Sequence, residues 1–206
     1  MPRGSGAGAV QAPGVILASA SPRRRELLGR LCADFIVRPS AVNEILEPGP
    51  IAEAVARLAL EKARAVARQL ASGIVLGADT VVVIDGEPLG KPTSPAHARA
   101  MLERLRGRTH DVMTGVAVVD AATGRSVVTL AVSRVLMAAY GADVIEAYVR
   151  SSEPLDKAGG YAIQGAGGEL IAGLIGSYSN VVGLPLGATA ALLREFGVVL
   201  RPEVGI

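Results

Sequence analysis

The chain has 206 residues, half of them hydrophobic, a net charge of +2 and a single cysteine, Cys32. That length suits one sizeable domain, and the lone cysteine excludes an internal disulfide or a thiolate metal cluster and fits a reducing, cytoplasmic setting. Near-balanced charge without a dense basic stripe, with four tyrosines, two phenylalanines and no tryptophan, argues against a nucleic-acid reader, and no apolar stretch is long enough to cross a bilayer.

Residues 1–13 are rich in Gly, Ala and Pro with one arginine, and they read as a flexible tail ahead of a single domain over 14–206. Val15–Leu17 is a short apolar strand that ends in small residues. Ser21 followed by Pro22 is an N-cap and first helical residue, because proline's missing donor costs nothing there. Strand, tight turn and helix entrance therefore fall within a dozen residues. The free N–H groups of that first turn attract anions, and Ser19 and Ser21 add hydroxyls. Arg23 and Arg24 stand at the same end, where they oppose the helix dipole. Two readings stand at this point: a phosphate site, or solvated surface charge at Arg24 and Arg25.

Phe35–Arg38 reads as a short strand, followed by a turn-rich segment with Glu44. A helix is expected from about Ile51 to Leu70, with Val55, Leu58 and Val66 on its apolar stripe. Lys62 falls on that stripe, and its default reading is a packed stem with the head snorkelling to water. Ile74–Ile84 (IVLGADTVVVI) is a buried strand with Asp79 at its middle. A buried carboxylate needs a partner, so Asp79 is either functional or held by a neighbouring turn, with Gly77 as a bulge.

Asp85-Gly86 marks a hairpin turn. Ser94-Pro95 caps a helix running to about Arg106, and Thr109–Asp120 with Arg125–Ala138 forms a long antiparallel pair. His97 reads as a surface residue and His110 opens a strand; two scattered histidines give no metal-ligand spacing. Gly141–Arg150 is a short helix. Glu153–Leu186 is dense in glycine yet carries Tyr161, Ile163 and Leu184, so it reads as irregular backbone that packs, with one strand at Leu170–Ile175. Gly187–Phe196 closes the chain as a helix, and Val198–Leu200 reads as one more strand.

The unusual residues share a theme. Arg23, Arg24, Lys62 and Lys91 are cations, and Glu44 and Asp79 are carboxylates. Cations at a helix N-terminus suit a polyphosphate, and the carboxylates suit a hard divalent ion such as Mg²⁺. A nucleoside triphosphate is the natural ligand of that set, and its hydrolysis needs an activated water with a carboxylate base. No Ser–His–Asp order, Cys–His pair or Walker A motif is present.

SASPRRRELL, the EKA at Glu61–Ala63, GADTVV, GKP, HDVMTGVAV, EPLDKAGGYAIQG and GSYSNVVGLPL occur in that order. Over about residues 14–200 this pattern resembles the Maf family of nucleoside triphosphate pyrophosphatases. The resemblance implies an inosine-triphosphatase-like α/β fold, a mixed twisted sheet with flanking helices and a cleft between two lobes. It also implies cleavage between the α and β phosphates with Mg²⁺ or Mn²⁺, and commonly a homodimer.

Carried onto this chain, the resemblance implies that Asp79 is the catalytic base and that Glu44 helps hold the metal with it. It makes Lys91 part of the catalytic set and Ser19, Arg23, Arg24, Lys62 and Lys91 the phosphate-binding residues. Arg23, Thr80 and Gln164 are the residue types of the dTTP and UTP branch rather than the 7-methyl-GTP branch. A Gln amide offers both a donor and an acceptor to a uracil or thymine edge. SSEP at Ser151–Pro154 and Ser133-Arg134 depart from the family's commoner forms. A 7-methyl-GTP pyrophosphatase and a division-linked nucleotide binder without turnover are the alternatives.

Overall fold

The computed structural model describes residues 14–202, so the expected tail at 1–13 and the last four residues lie outside the described residues. In chain order the elements are β1 (Val15–Leu17), α1 (Pro22–Leu31), β2 (Ile36–Val37), α2 (Ile51–Ala67), β3 (Ile74–Ile84) and β4 (Glu87–Leu89). They continue as α3 (Pro95–Leu105), β5 (Thr109–Asp120), β6 (Ser126–Met137), α4 (Ala142–Arg150), β7 (Ile171–Ile175), α5 (Tyr178–Val182) and α6 (Leu186–Glu195). Three 3₁₀ turns, Glu153–Asp156, Ala158–Gly160 and Gly165–Leu170, fill most of the stretch between α4 and β7.

The seven strands make one mixed sheet in the order β2-β1-β3-β5-β6-β7, with β4 attached to β3. β1 is parallel to β2 and β3, and every other pairing is antiparallel. The eleven-residue β3 is the axis. One of its edges pairs with β1 up to Leu76 and with β4 from Val82 onward, so among the described residues those between them have no strand partner on that side. Asp79 and Thr80 fall in this gap. The other edge runs unbroken against β5, with Gly77 opposite Ala117 and Asp79 opposite Gly115. Gly77 is therefore not a bulge.

Successive β3 side chains alternate between two layers. Val75, Val81 and Val83 face α2, which closes one side of the sheet with Val55, Ala59, Ala63 and Val66. Val55 and Val66 are fully buried, worth about 1.5–3 kcal/mol each at most by area removed from water. The helix lies unusually close. A Cβ on Gly77 would stand 2.3 Å from the Ala59 carbonyl oxygen, and one on Gly115 would stand 2.7 Å from that of Val55.

On the opposite side, Ile74, Leu76 and Ala78 pack with α1 and α6, whereas Val82 and Ile84 pack with α3 and α4. These two apolar clusters are the two lobes, and they part at Thr80. The expected cleft is present for that reason.

Three local expectations change. β4 was hidden by Pro88, which is tolerated on an edge strand. Ser177 caps the five-residue α5 by accepting from the Asn180 N–H, a helix inside a stretch that reads as irregular. Val198–Leu200 is not a strand: the Val198 N–H closes the end of α6 on the Leu193 carbonyl, and its side chain joins the core. Cys32 is buried in that same core, where desolvation pushes its thiol up.

Candidate active site

The parted lobes leave a cleft of about 320 Å³ lined by Ser19, Arg23, Arg24, Glu44, Asp79, Thr80, Lys91 and Gln164, among others. Eight of the nine residues singled out in the sequence thus meet at one place. The ninth, Lys62, stands behind the carboxylates.

The α1 entrance is one wall. Ser21 Oγ accepts from the Arg24 N–H at 3.4 Å and fixes the first turn. Arg24 turns its side chain back into the cleft floor. Nε donates to the Gly183 carbonyl (2.8 Å), Nη1 to Ser19 Oγ (3.3 Å) and Nη2 to Thr80 Oγ1 (3.0 Å). Burial lowers the guanidinium pKa, while the charges of Asp79 and Glu44 oppose that effect. Arg24 is therefore no solvated surface charge. Arg25 is exposed.

The carboxylates form the second group. Lys62 is only 3% exposed, and its Nζ lies 2.7 Å from both Glu44 Oε1 and Asp79 Oδ1. Its head does not snorkel to water, because the close approach of α2 over Gly77 delivers it directly to Asp79. Lys91 Nζ lies 2.7 Å from Glu44 Oε2. Burial pushes the Glu44 carboxyl up, but hydrogen bonds from the two ammonium groups outweigh it and hold the pKa at about 2. Two carboxylates thus share one buried cation. Among the described residues no group of three or more His, Cys, Asp or Glu side chains converges to cage a metal ion.

The third wall comes from the glycine-dense segment. Asp156, Lys157, Tyr161 and Gln164 line it, and only Gln164 was singled out in the sequence. Lys157 Nζ donates to the Glu153 carbonyl and Asp156 Oδ1, both at 2.6 Å. The charge pair inside EPLDK was the available signal. Tyr161 meets His110 at 2.6 Å between Oη and Nε2, edge to face. Burial drives His110 down to about 4, partly countered by Asp111, and drives the Tyr161 hydroxyl up. His97 is exposed, as expected, and holds the Thr93 N–H.

A family profile described as Maf-like protein matches residues 14–196. A "dTTP/UTP pyrophosphatase" of Moorella thermoacetica is 56% identical over 185 residues, covering 89% of this chain and 95% of that protein. Proteins of the same name from Myxococcus xanthus and Desulforamulus reducens are 53% and 50% identical, covering 90% and 89% of this chain and 94% and 97% of theirs. No helix among the described residues is long and apolar enough to cross a membrane. With the sheet, the two lobes and the ordered motifs accounted for along nearly the whole length, the chain belongs to the Maf-like protein family.

Proposed function

We propose that this protein is a nucleoside triphosphate pyrophosphatase that hydrolyses dTTP and UTP to the nucleoside monophosphate and pyrophosphate. The observation that carries this reading is one cleft joining the basic N-terminus of α1 to the Asp79–Glu44 carboxylates. The names of the related proteins agree with it.

Arg23, Arg24 and Lys91, all lining the cleft, hold the triphosphate. Ser19 Oγ already accepts from Arg24 and from the Ser21 N–H, so its own proton is left to donate to a phosphate oxygen. Asp79 is the general base that takes the proton of the attacking water. Lys62, 2.7 Å from an oxygen of each, offsets the mutual repulsion of the two carboxylates. The electron pair of the broken α–β bond leaves on pyrophosphate beside Arg24 and Lys91. Gln164, on the far wall, reads the pyrimidine edge.

Mg²⁺ keeps most of its waters and needs only one or two carboxylates plus substrate phosphates, so Asp79 and Glu44 suit Mg²⁺ or Mn²⁺ although they cannot cage either alone. Bound there, the ion would neutralise phosphate charge and acidify a water. A house-cleaning role against modified pyrimidine nucleotides fits best, since removal of ordinary dTTP would be wasteful. The buried lone cysteine accords with a cytoplasmic setting.

A homodimer completes the proposal. Val132, Arg134 and Leu136 on β6 and Ile175 on β7 share one exposed sheet face beyond α2, and Arg134 pairs there with Asp111. Apolar residues around one charge of each sign are what a two-fold, self-complementary contact requires. Val132→Lys should halve the particle mass in sedimentation without lowering the melting temperature. An unchanged mass would remove this face from the assembly.

The test of function is pyrophosphate release from dTTP, UTP, CTP, GTP, 7-methyl-GTP and ITP with Mg²⁺. Wild type should favour dTTP and UTP, and Asp79→Asn should lose about 10²–10⁴-fold. Preference for 7-methyl-GTP would overturn the substrate assignment, and binding without turnover would favour a regulator.

A further inference from the structure

Thr80 on β3 and Thr114 on β5 form a chain of hydroxyls with a fixed direction. Thr114 is fully buried, and its Oγ1 donates to the Asn180 carbonyl at 3.1 Å. A hydroxyl has one proton, and a carbonyl can only accept. Thr114 must therefore accept at its other contact, the 3.0 Å bond with Thr80, so Thr80 is the donor there. The Thr80 proton is thereby spent, and its oxygen turns a lone pair toward Arg24 Nη2. The order runs Arg24 to Thr80 to Thr114 to Asn180. It closes on itself, because Arg24 Nε donates to Gly183, the residue that ends the same helix α5. Asn180 pins that helix to the sheet, its Nδ2 donating to the Val112 carbonyl (3.0 Å) and Ser133 Oγ (2.9 Å).

We propose that Thr114, which does not line the cleft, is a positioning residue: it sets the rotor of the Thr80 hydroxyl and so aims the Arg24 fork at the substrate's phosphates. Thr80 then presents only an acceptor to the cleft. Its place beside Asp79 serves Arg24 rather than donating to the nucleotide. This inference rests on the pyrophosphatase reading for its kinetic test but not for its binding test.

Thr114→Val keeps the shape, removes the proton that Asn180 accepts and leaves the Thr80 proton free to turn toward Arg24. An orphaned carbonyl and a misdirected donor predict a rise in KM for UTP of about tenfold, with kcat within about threefold, because the phosphates are held in the ground state too. Thr114→Ser should restore wild-type KM. In an Arg24→Lys background, which keeps the charge without the fork, Thr114→Val should add less than about twofold. Calorimetry with inorganic tripolyphosphate should show the same losses and the same coupling.

Wild-type KM and tripolyphosphate affinity in Thr114→Val would overturn the proposal. So would an undiminished Thr114→Val effect in the Arg24→Lys background, or failure of Thr114→Ser to restore binding. If Thr114→Val does not fold, Thr80→Val breaks the same chain one link earlier, and its coupling to Arg24→Lys decides the matter by the same criterion. A wild-type protein that binds tripolyphosphate but releases no pyrophosphate would sink the enzymatic reading while leaving the positioning test intact.

Discussion

Asp79 and Thr80 are neighbours on β3, yet they open onto opposite faces of the sheet and two different kinds of polar network. Asp79 faces α2 and joins a charged cluster, Lys62 between Asp79 and Glu44, with Lys91 beyond. Thr80 faces the lobes and joins a neutral chain of hydroxyls and carbonyls that holds one arginine. The alternation of a single strand thus separates two tasks. One face keeps charge ready for proton transfer, and the other keeps a cation in position. The gap between β1 and β4 lets both reach one cleft.

The harshest way to break this comparison is Lys62→Met. It keeps the stem and leaves Asp79 and Glu44 facing each other without their shared cation. Removing one member of a buried charge cluster costs about 3–5 kcal/mol, and the Glu44 pKa should climb from about 2 toward or above its ordinary 4.5. Melting should drop by many degrees and turnover should fall at least a hundredfold, while tripolyphosphate affinity, for which Arg23 and Arg24 remain in place, should change less than turnover. Loss of both together in a folded variant would mean that the two networks are not separate.

How much of this was legible beforehand follows the same division. Asp79 was visible because a carboxylate stands out in an apolar β run, and the α1 entrance because Ser21-Pro22 has one good structural use. Lys62 was not settled by pattern alone: a lysine on an apolar stripe looks the same whether its head reaches water or a buried acid. The small residues that decide it, Gly77 and Gly115, act across elements. Thr114 was invisible as a polar residue, since a β-branched side chain in a strand passes for packing. Helix α5 lay hidden in glycine-rich sequence because it is set by a cap and by Asn180's long-range bonds rather than by periodicity. The partition into lobes needed the register, which places Ala78 and Val82 in different clusters.

Acid should unravel the two faces in separate windows. His110, on the Thr80 side of β5, is buried with a pKa lowered to about 4 from an ordinary 6.5. The unfolded chain therefore binds more protons between these values. Stability falls as pH drops through 6.5 and levels off below 4, a loss on the order of 3 kcal/mol. Glu44 is also depressed, from 4.5 to about 2, so its contribution is present above 4.5 and disappears as pH falls toward 2. Denaturant titrations at stepped pH should show His110→Gln flattening the first window only, and Glu44→Gln the second. A variant that flattens the other's window would contradict these assignments.

The gentlest probe is Gly77→Ala, which touches neither network's polar atoms. Gly77 shares a face with Asp79, and a new methyl would meet the Ala59 carbonyl and the Ala63 amide of α2 at 2.3 and 2.8 Å. Neither is a flexible side-chain tip, so the helix itself must move. Overpacking of this kind costs about 1–3 kcal/mol. Displacement of α2 carries Lys62 away from Asp79, because both lie at the point where helix and strand are closest. Turnover should therefore fall, by about tenfold or more, with KM for UTP near wild type, since Arg24 hangs from α1 and α5 on the other face. A change in KM without a change in kcat would show that the separation of tasks at Asp79 and Thr80 does not extend to the elements that support them.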